Sequence, residues 1–224
     1  MIRLEESAIL KRKIRQDDVA DLGKPTWALT REAIKAGRVD EALKFIEYGA
    51  FENQAMHEGV AAMLSDVLTH LATLGEGEVE KAWRLRYNDR IKKWLQETPG
   101  LMENLWLFIE FQRGLSANLT VTEEPDRYVI KSDPCGTGGR LKRTDRNVTR
   151  KAYPWSWGKS GILYYCTHCC IAYEQVPIEL REYPLKVMLP PEKSGAPCFH
   201  LVYKKPELIP EEYFTRVGKK KTKK

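Results

Sequence analysis

Cys135, Cys166, Cys169 and Cys198 constrain this chain more than any other residues do. Four thiolates are the complete tetrahedral donor set of a structural zinc ion, and equally the ligand set of an iron–sulfur cluster. The central pair lies in Tyr165-Cys166-Thr167-His168-Cys169, a C-x-x-C whose short loop aims both sulfurs at one point. About thirty residues separate it from each outer cysteine, and Pro134 and Pro197 precede those two. Zinc (Zn) is the metal preferred, with a 4Fe-4S cluster as the alternative, because the spacing of the cysteines suits both. His168, inside the C-x-x-C loop, and His200, just past Cys198, are alternative nitrogen ligands that could replace one thiolate. Cys170 directly follows Cys169 and is read as a core thiol, since neighbours on a knuckle point apart.

A disulfide framework is the competing reading, and the opening of the chain argues against it. Met-Ile-Arg-Leu-Glu-Glu is too charged for a secretory h-region, so a cytoplasmic protein is expected, where structural disulfides are rare. A redox dithiol of thioredoxin type would open a helix after a βαβ-type strand and leave two cysteines idle. No run of about 18 apolar residues is present, so no membrane span is expected. The net charge of +6 invites a nucleic-acid reading, yet removing the five lysines of the 219–224 tail leaves +1. That tail is expected to be a disordered basic end. The only basic segment with an aromatic neighbour is 140–151 (Arg140, Lys142, Arg143, Arg146, Arg150, Lys151), followed by Trp155. Nucleic acid is therefore not the expected partner; a small-molecule substrate is.

The first half reads as helical. A short charged helix is expected over 4–15, another over 26–36, and a long one over 40–74 with Ile46, Asn53, His57, Val60, Leu64, Leu68 and Leu71 on its inward face. Helices over 78–97 (Val79, Trp83, Tyr87, Ile91 and Trp94 inward) and 101–115 follow, broken by Pro99-Gly100. Beyond residue 116 the pattern changes to short strands around 119–121, 128–130, 161–165, 183–189 and 199–203. A short helix through Glu174 is expected to stop at Pro177, with a last helix over 206–216. The expected fold class is α+β: an N-terminal antiparallel helical bundle (1–116), then a small metal-stapled α+β module with a short antiparallel sheet (117–218), then the tail.

Candidate catalytic residues are His57 and Arg140. His57 and Asn53 are four apart on the expected inward face, where a buried pair could line a pocket and move protons. The loop Cys135-Gly136-Thr137-Gly138-Gly139-Arg140 reads first as a tight turn that lets Cys135 reach the metal. It could also present Arg140 to a substrate carboxylate. It has neither the Walker A spacing nor a dinucleotide fingerprint. Trp155 and Trp157, flanking Ser156 in an extended segment, could wall a cleft.

The run Asp133-Pro134-Cys135-Gly136-Thr137-Gly138-Gly139-Arg140, then Tyr165-Cys166-Thr167-His168-Cys169 and Pro197-Cys198, resembles a bacterial family largely without assigned function. In layout (helical first half, cysteine-bearing second half) the chain is similar to L-2-amino-thiazoline-4-carboxylic acid hydrolase-like proteins. That resemblance implies a small-molecule hydrolase, and it carries over no catalytic set residue by residue. Three functions follow. One is a metal-binding enzyme of hydrolase type with a pocket between bundle and module, served by His57, Arg140, Glu174 or Glu179. The others are an iron–sulfur redox or electron-transfer protein and a zinc-stapled binding or regulatory module.

Overall fold

In the computed structural model, which describes residues 2–98, 100–191, 193 and 195–222, the charged stretch 4–15 is a hairpin rather than a helix. Strands β1 (Leu4–Ser7) and β2 (Arg12–Arg15) pair antiparallel, Leu4 opposite Arg15. The turn between them closes with the Lys11 N–H on the Ser7 carbonyl at 2.8 Å and leaves Ile9 and Leu10 in solvent. A helix there would have had no apolar stripe to bury, whereas the hairpin lets Arg15 act as a staple. Its N–H donates to Tyr48 Oη at 3.0 Å, and its guanidinium donates to Thr26 Oγ1, to the Lys24 carbonyl and to Asp17.

The chain divides into two compact units, 1–56 and 57–224, so the expected boundary at 116/117 falls inside the second. In the first, the hairpin is joined by α1 (Val19–Leu22), α2 (Thr26–Lys35) and the opening of α3 (Val39–Leu74), with Leu29, Ala33, Ala42 and Phe45 as its core. On α3 the buried positions differ from those expected. Asn53, Ile46 and Val60 are exposed, Leu68 is buried as expected, and Ala61, Ser65 and Ala72 are buried although not expected. Small residues thus join large ones such as Phe45 and Leu68 on the face that meets its neighbours, since alanine allows close approach.

In the second unit, the remainder of α3, α4 (Glu76–Glu97) and α5 (Leu101–Gly114) contribute Leu68, Val79, Trp83, Ile91, Leu105 and Phe108 to one core shared with the C-terminal strands. These helices therefore close no core of their own. On α4, Val79, Trp83 and Ile91 are buried at the expected spacing. Pro99, half of the expected break, lies outside the described residues.

Four strands, β3 (Leu119–Glu123), β4 (Arg127–Ser132), β5 (Val187–Leu189) and β6 (Cys198–Tyr203), form an antiparallel sheet in the order β3-β4-β6-β5. The expected strand over 161–165 is not one. It is a buried extended segment bonded to 147–149 through Thr149 and Asn147, and it turns into helix two residues later.

That helix, α6 (Thr167–Cys170), runs on through a π-turn (Ile171–Gln175) into α7 (Val176–Arg181), past the proline expected to stop it. Pro177 has no N–H for the Tyr173 carbonyl, and the wider π-turn makes room for its ring. The freed carbonyl accepts instead from Leu185 N–H at 2.9 Å and Lys186 N–H at 3.4 Å. The final expected helix splits into a 3-10 turn (Pro206–Leu208) and α8 (Glu212–Thr215).

The tail begins anchored rather than disordered: Lys219 Nζ reaches Glu179 at 2.7 Å, and Lys221 Nζ donates to the Glu207 and Ile209 carbonyls. Lys223 and Lys224 lie outside the described residues. Among the described residues, no helix is long and apolar enough to cross a membrane.

Candidate metal centre

Cys135, Cys166, Cys169 and Cys198 arrive from different parts of the chain and line the same cavity, about 190 Å³ in volume. All four are free thiols. The sheet brings two of them together. Ser132, the last residue of β4, lies opposite Cys198 at the start of β6, and Cys135 follows three residues beyond Ser132. The turn after Cys135 is crowded. A Cβ on Gly138 would collide with Cys166 Sγ, and one on Gly136 would collide with the Leu115 carbonyl oxygen. These glycines are required by close approach, which favours the tight-turn reading of this loop over an anion nest.

The other pair is held by the start of α6. The Cys169 N–H bonds to the Cys166 carbonyl at 3.0 Å, closing the knuckle. Behind it, the Tyr164 carbonyl accepts from Trp83 Nε1 of α4 at 3.0 Å and from Thr167 Oγ1 at 2.7 Å. Cys170 is fully buried with its thiol on the Pro154 carbonyl and does not line the cavity, as expected of a core thiol.

Burial, and then the neighbouring Cys135, pushes the Cys166 thiol up to about 12. Cys169 and Cys198 are raised well above the ordinary thiol range by burial, and next by Cys198 and Cys135 respectively. Cys166, Cys169 and Cys198 therefore stay protonated until a cation joins them.

The histidines behave differently from one another. Burial lowers His168 to about 4, so its imidazole is neutral. Nδ1 lies 2.6 Å from the Tyr165 carbonyl and must therefore carry the proton, which leaves the Nε2 lone pair facing Cys169 Sγ at 3.3 Å. The ring packs against Trp83, Tyr87 and Tyr165. His200 is almost fully buried on β6, with Nε2 3.3 Å from Ser132 Oγ and Nδ1 without a partner.

His57 lines the cavity, half-buried, and its Nε2 has no hydrogen-bond partner. Burial, and then the nearby Arg140 charge, lowers its pKa, so it is neutral at pH 7. Arg140 does not line the cavity. Its guanidinium donates to the Ser116 carbonyl at 2.6 Å and the Gly136 carbonyl at 3.2 Å, and it pairs with Glu58 at 3.4 Å. It fastens the glycine turn to the end of α5, a positioning task rather than a substrate contact. Glu174 and Glu179 are likewise engaged, the first by Arg216 and Trp157, the second by Arg84 and Lys219. Trp157 lines the cavity, but Trp155 stacks on Tyr153 instead. A 3-10 turn (Pro154–Ser156) replaces the expected extended segment, which separates the two indoles.

Sequence reasoning missed Lys186, which is 3% exposed, with its Nζ 2.7 Å from the Phe108 ring centroid and 3.6 Å from that of Tyr173. A lone lysine in the apolar run Leu185-Lys186-Val187-Met188-Leu189 reads as solvent-facing, because lysine is almost never fully buried.

As a donor set the four thiols suit zinc or an iron–sulfur cluster. As the side chains stand, no group of three or more His, Cys, Asp or Glu among the described residues is gathered closely enough to hold an ion. A tetrahedral zinc site needs sulfurs about 3.8 Å apart, so loading requires side-chain rotation inward. Compared with protein-family models, curated proteins and solved structures, the chain matches none.

Proposed function

We propose that Cys135, Cys166, Cys169 and Cys198 form a thiolate metal centre in a protein that acts on a small organic molecule held in the adjoining cavity. The observation that carries this reading is that four cysteines from three segments of the chain line one cavity as free thiols. Zinc is the preferred metal and an iron–sulfur cluster the alternative. A four-thiolate zinc site is closed and structural, and it contributes folding energy to the segments it joins. A cluster would supply one-electron chemistry.

With a closed zinc site, reaction chemistry falls to the cavity's remaining polar groups. His57 is the best placed of these, since its imidazole is neutral and Nε2 is unengaged. A hydrolase reading gives it the role of general base. Cys166→Ser tests the metal centre: metal content should fall to near zero, and full stoichiometry in that variant would refute the ligand assignment. His57→Ala tests the pocket: it should abolish turnover of any substrate found while leaving metal content intact.

A second reading rests on the Cys169–His168 contact. The Tyr165 carbonyl fixes the tautomer that places an acceptor nitrogen against the thiol, the geometry of a cysteine–histidine pair, while burial as the site stands opposes transfer of the thiol proton. The two readings compete for Cys169. Stoichiometric metal bound by the wild type and lost in Cys169→Ser favours the first. Metal-free protein alkylated at Cys169, with His168→Gln abolishing that reactivity, favours the second.

A further inference from the structure

Lys186 is the least expected charge in the molecule. Its stem is pinned where its own N–H and that of Leu185 bond to the Tyr173 carbonyl, just before β5 begins. Its amine lies over the faces of Phe108 and Tyr173, buried and without a hydrogen-bond partner. Aromatic faces attract a cation, but far less than burial of an unpaired ammonium costs. A methionine or leucine would fill this space without that cost, so the amine answers to a charge.

The surroundings say which. Tyr173 is four residues after Cys169 on the same helical run. Phe108 packs against Tyr173 at 5.9 Å and against His200 at 4.9 Å, and His200 is two residues from Cys198 on β6. Burial holds the amine well below the ordinary lysine range, and Cys169, then Cys198 and Cys135, act in the opposite direction and favour its protonation. The buried carboxylate of Glu174 is already taken by Arg216. Among the described residues that bear on the amine, the cysteines are left to supply negative charge.

We propose that Lys186 is the built-in counter-charge of the thiolate centre, its ammonium offsetting the negative charge that four thiolates keep after binding metal. That excess is about −2 for a divalent ion, and the same for an oxidised four-iron cluster core. The inference rests on the metal-centre reading above and adds a fifth residue to it. It also explains why the interior tolerates an amine with no partner: the partner is the loaded site.

The experiment compares wild type and Lys186→Met as full chains. Zinc affinity is read by competition with a chromophoric chelator, and the stability of each metal-free protein by urea unfolding. Lys186→Met should bind zinc about 10- to 100-fold more weakly, the usual scale for an outer-sphere partner. Metal-free Lys186→Met should be at least as stable as metal-free wild type, because it no longer buries an unpaired amine. Equal zinc affinity in the two proteins would overturn the counter-charge role while leaving the metal centre standing. A metal-free variant that unfolds at lower urea would assign the lysine to packing and overturn it as well. Wild type that binds no zinc and no iron would remove the metal-centre reading itself.

Discussion

Two charges buried in the same core, Glu174 and Lys186, are treated in opposite ways. Glu174 is wholly inaccessible and wholly satisfied: Oε1 accepts from Trp157 Nε1 at 2.8 Å, from Met188 N–H at 2.7 Å and from Arg216 at 2.8 Å, and Oε2 from Arg216 at 2.9 Å. Lys186 has two aromatic rings and no acceptor. A carboxylate so fully engaged holds strands and helices in register, although the Nε of its partner Arg216 stays without an acceptor. An unengaged amine leaves a cost that something else must offset. The contrast is between an engaged group and an unengaged one: Glu174, which by residue type alone could be catalytic, is tied into the scaffold, and Lys186, which no motif contains, is the residue we propose for the site.

The largest test strikes the engaged group. Arg216→Met leaves the Glu174 carboxylate buried without its cation and should cost about 3–5 kcal/mol in urea unfolding, with metal content unchanged. Adding Glu174→Gln to that variant should recover part of the loss, since the uncompensated charge is gone. Additive losses would mean that the pair is not coupled. Next in size, Gly138→Ala drives a methyl group into Cys166 Sγ. It should destabilise by about 1–3 kcal/mol and lower metal stoichiometry together, because turn and ligand share the space. A stable Gly138→Ala protein with full metal content would contradict the packing of this turn.

A smaller effect comes from Trp83→Phe, which removes the indole N–H from the Tyr164 carbonyl. It should cost about 1 kcal/mol and be read equally well by thermal or urea unfolding. Smallest is the partly exposed Glu179. Burial pushes its carboxyl up, but hydrogen bonds from Arg84 and Lys219 prevail and hold it below the usual range. A lowered folded-state pKa stabilises above the unfolded-state pKa, and that contribution is lost as pH falls through the folded-state value. Glu179→Gln should therefore cost under about 1 kcal/mol at pH 7, with the difference from wild type vanishing in acid. A difference that grew on acidification would reverse the sign of this account.

Much of the scaffold was legible. The 3.6-residue period on α4 places Val79, Trp83 and Ile91 inward, as they are, and turn residues bracket β3 and β4 near their observed ends. The convergence of the cysteines on one place was also readable, from the C-x-x-C and its flanking spacings. Other features were hidden for physical reasons. Half of the positions in the 4–15 hairpin are charged and its apolar residues follow neither period, so pairing is decided by what Arg15 can reach. Part of the inward face of α3 is marked by Ala42, Ala61 and Ala72, which a search for large apolar residues passes over. Pro177 reads as a stop, yet the Tyr173 carbonyl it leaves free finds a donor at Leu185, a contact no local rule supplies. Arg140 reads as a substrate ligand because its loop is glycine-rich, but the Ser116 carbonyl and the Gly136 carbonyl of its own turn claim it. Lys186 is the extreme case: its burial is set by Phe108, far away in sequence.

The central claim is that the four cavity thiols hold a metal, and the most direct measurement is metal content with visible absorption on full-length protein purified without oxygen. The account predicts one zinc per chain and no colour, or, in its alternative, iron and sulfide with a broad visible absorption. Folded protein with neither metal, and with Cys135, Cys166, Cys169 and Cys198 all titrating as free thiols, would contradict it.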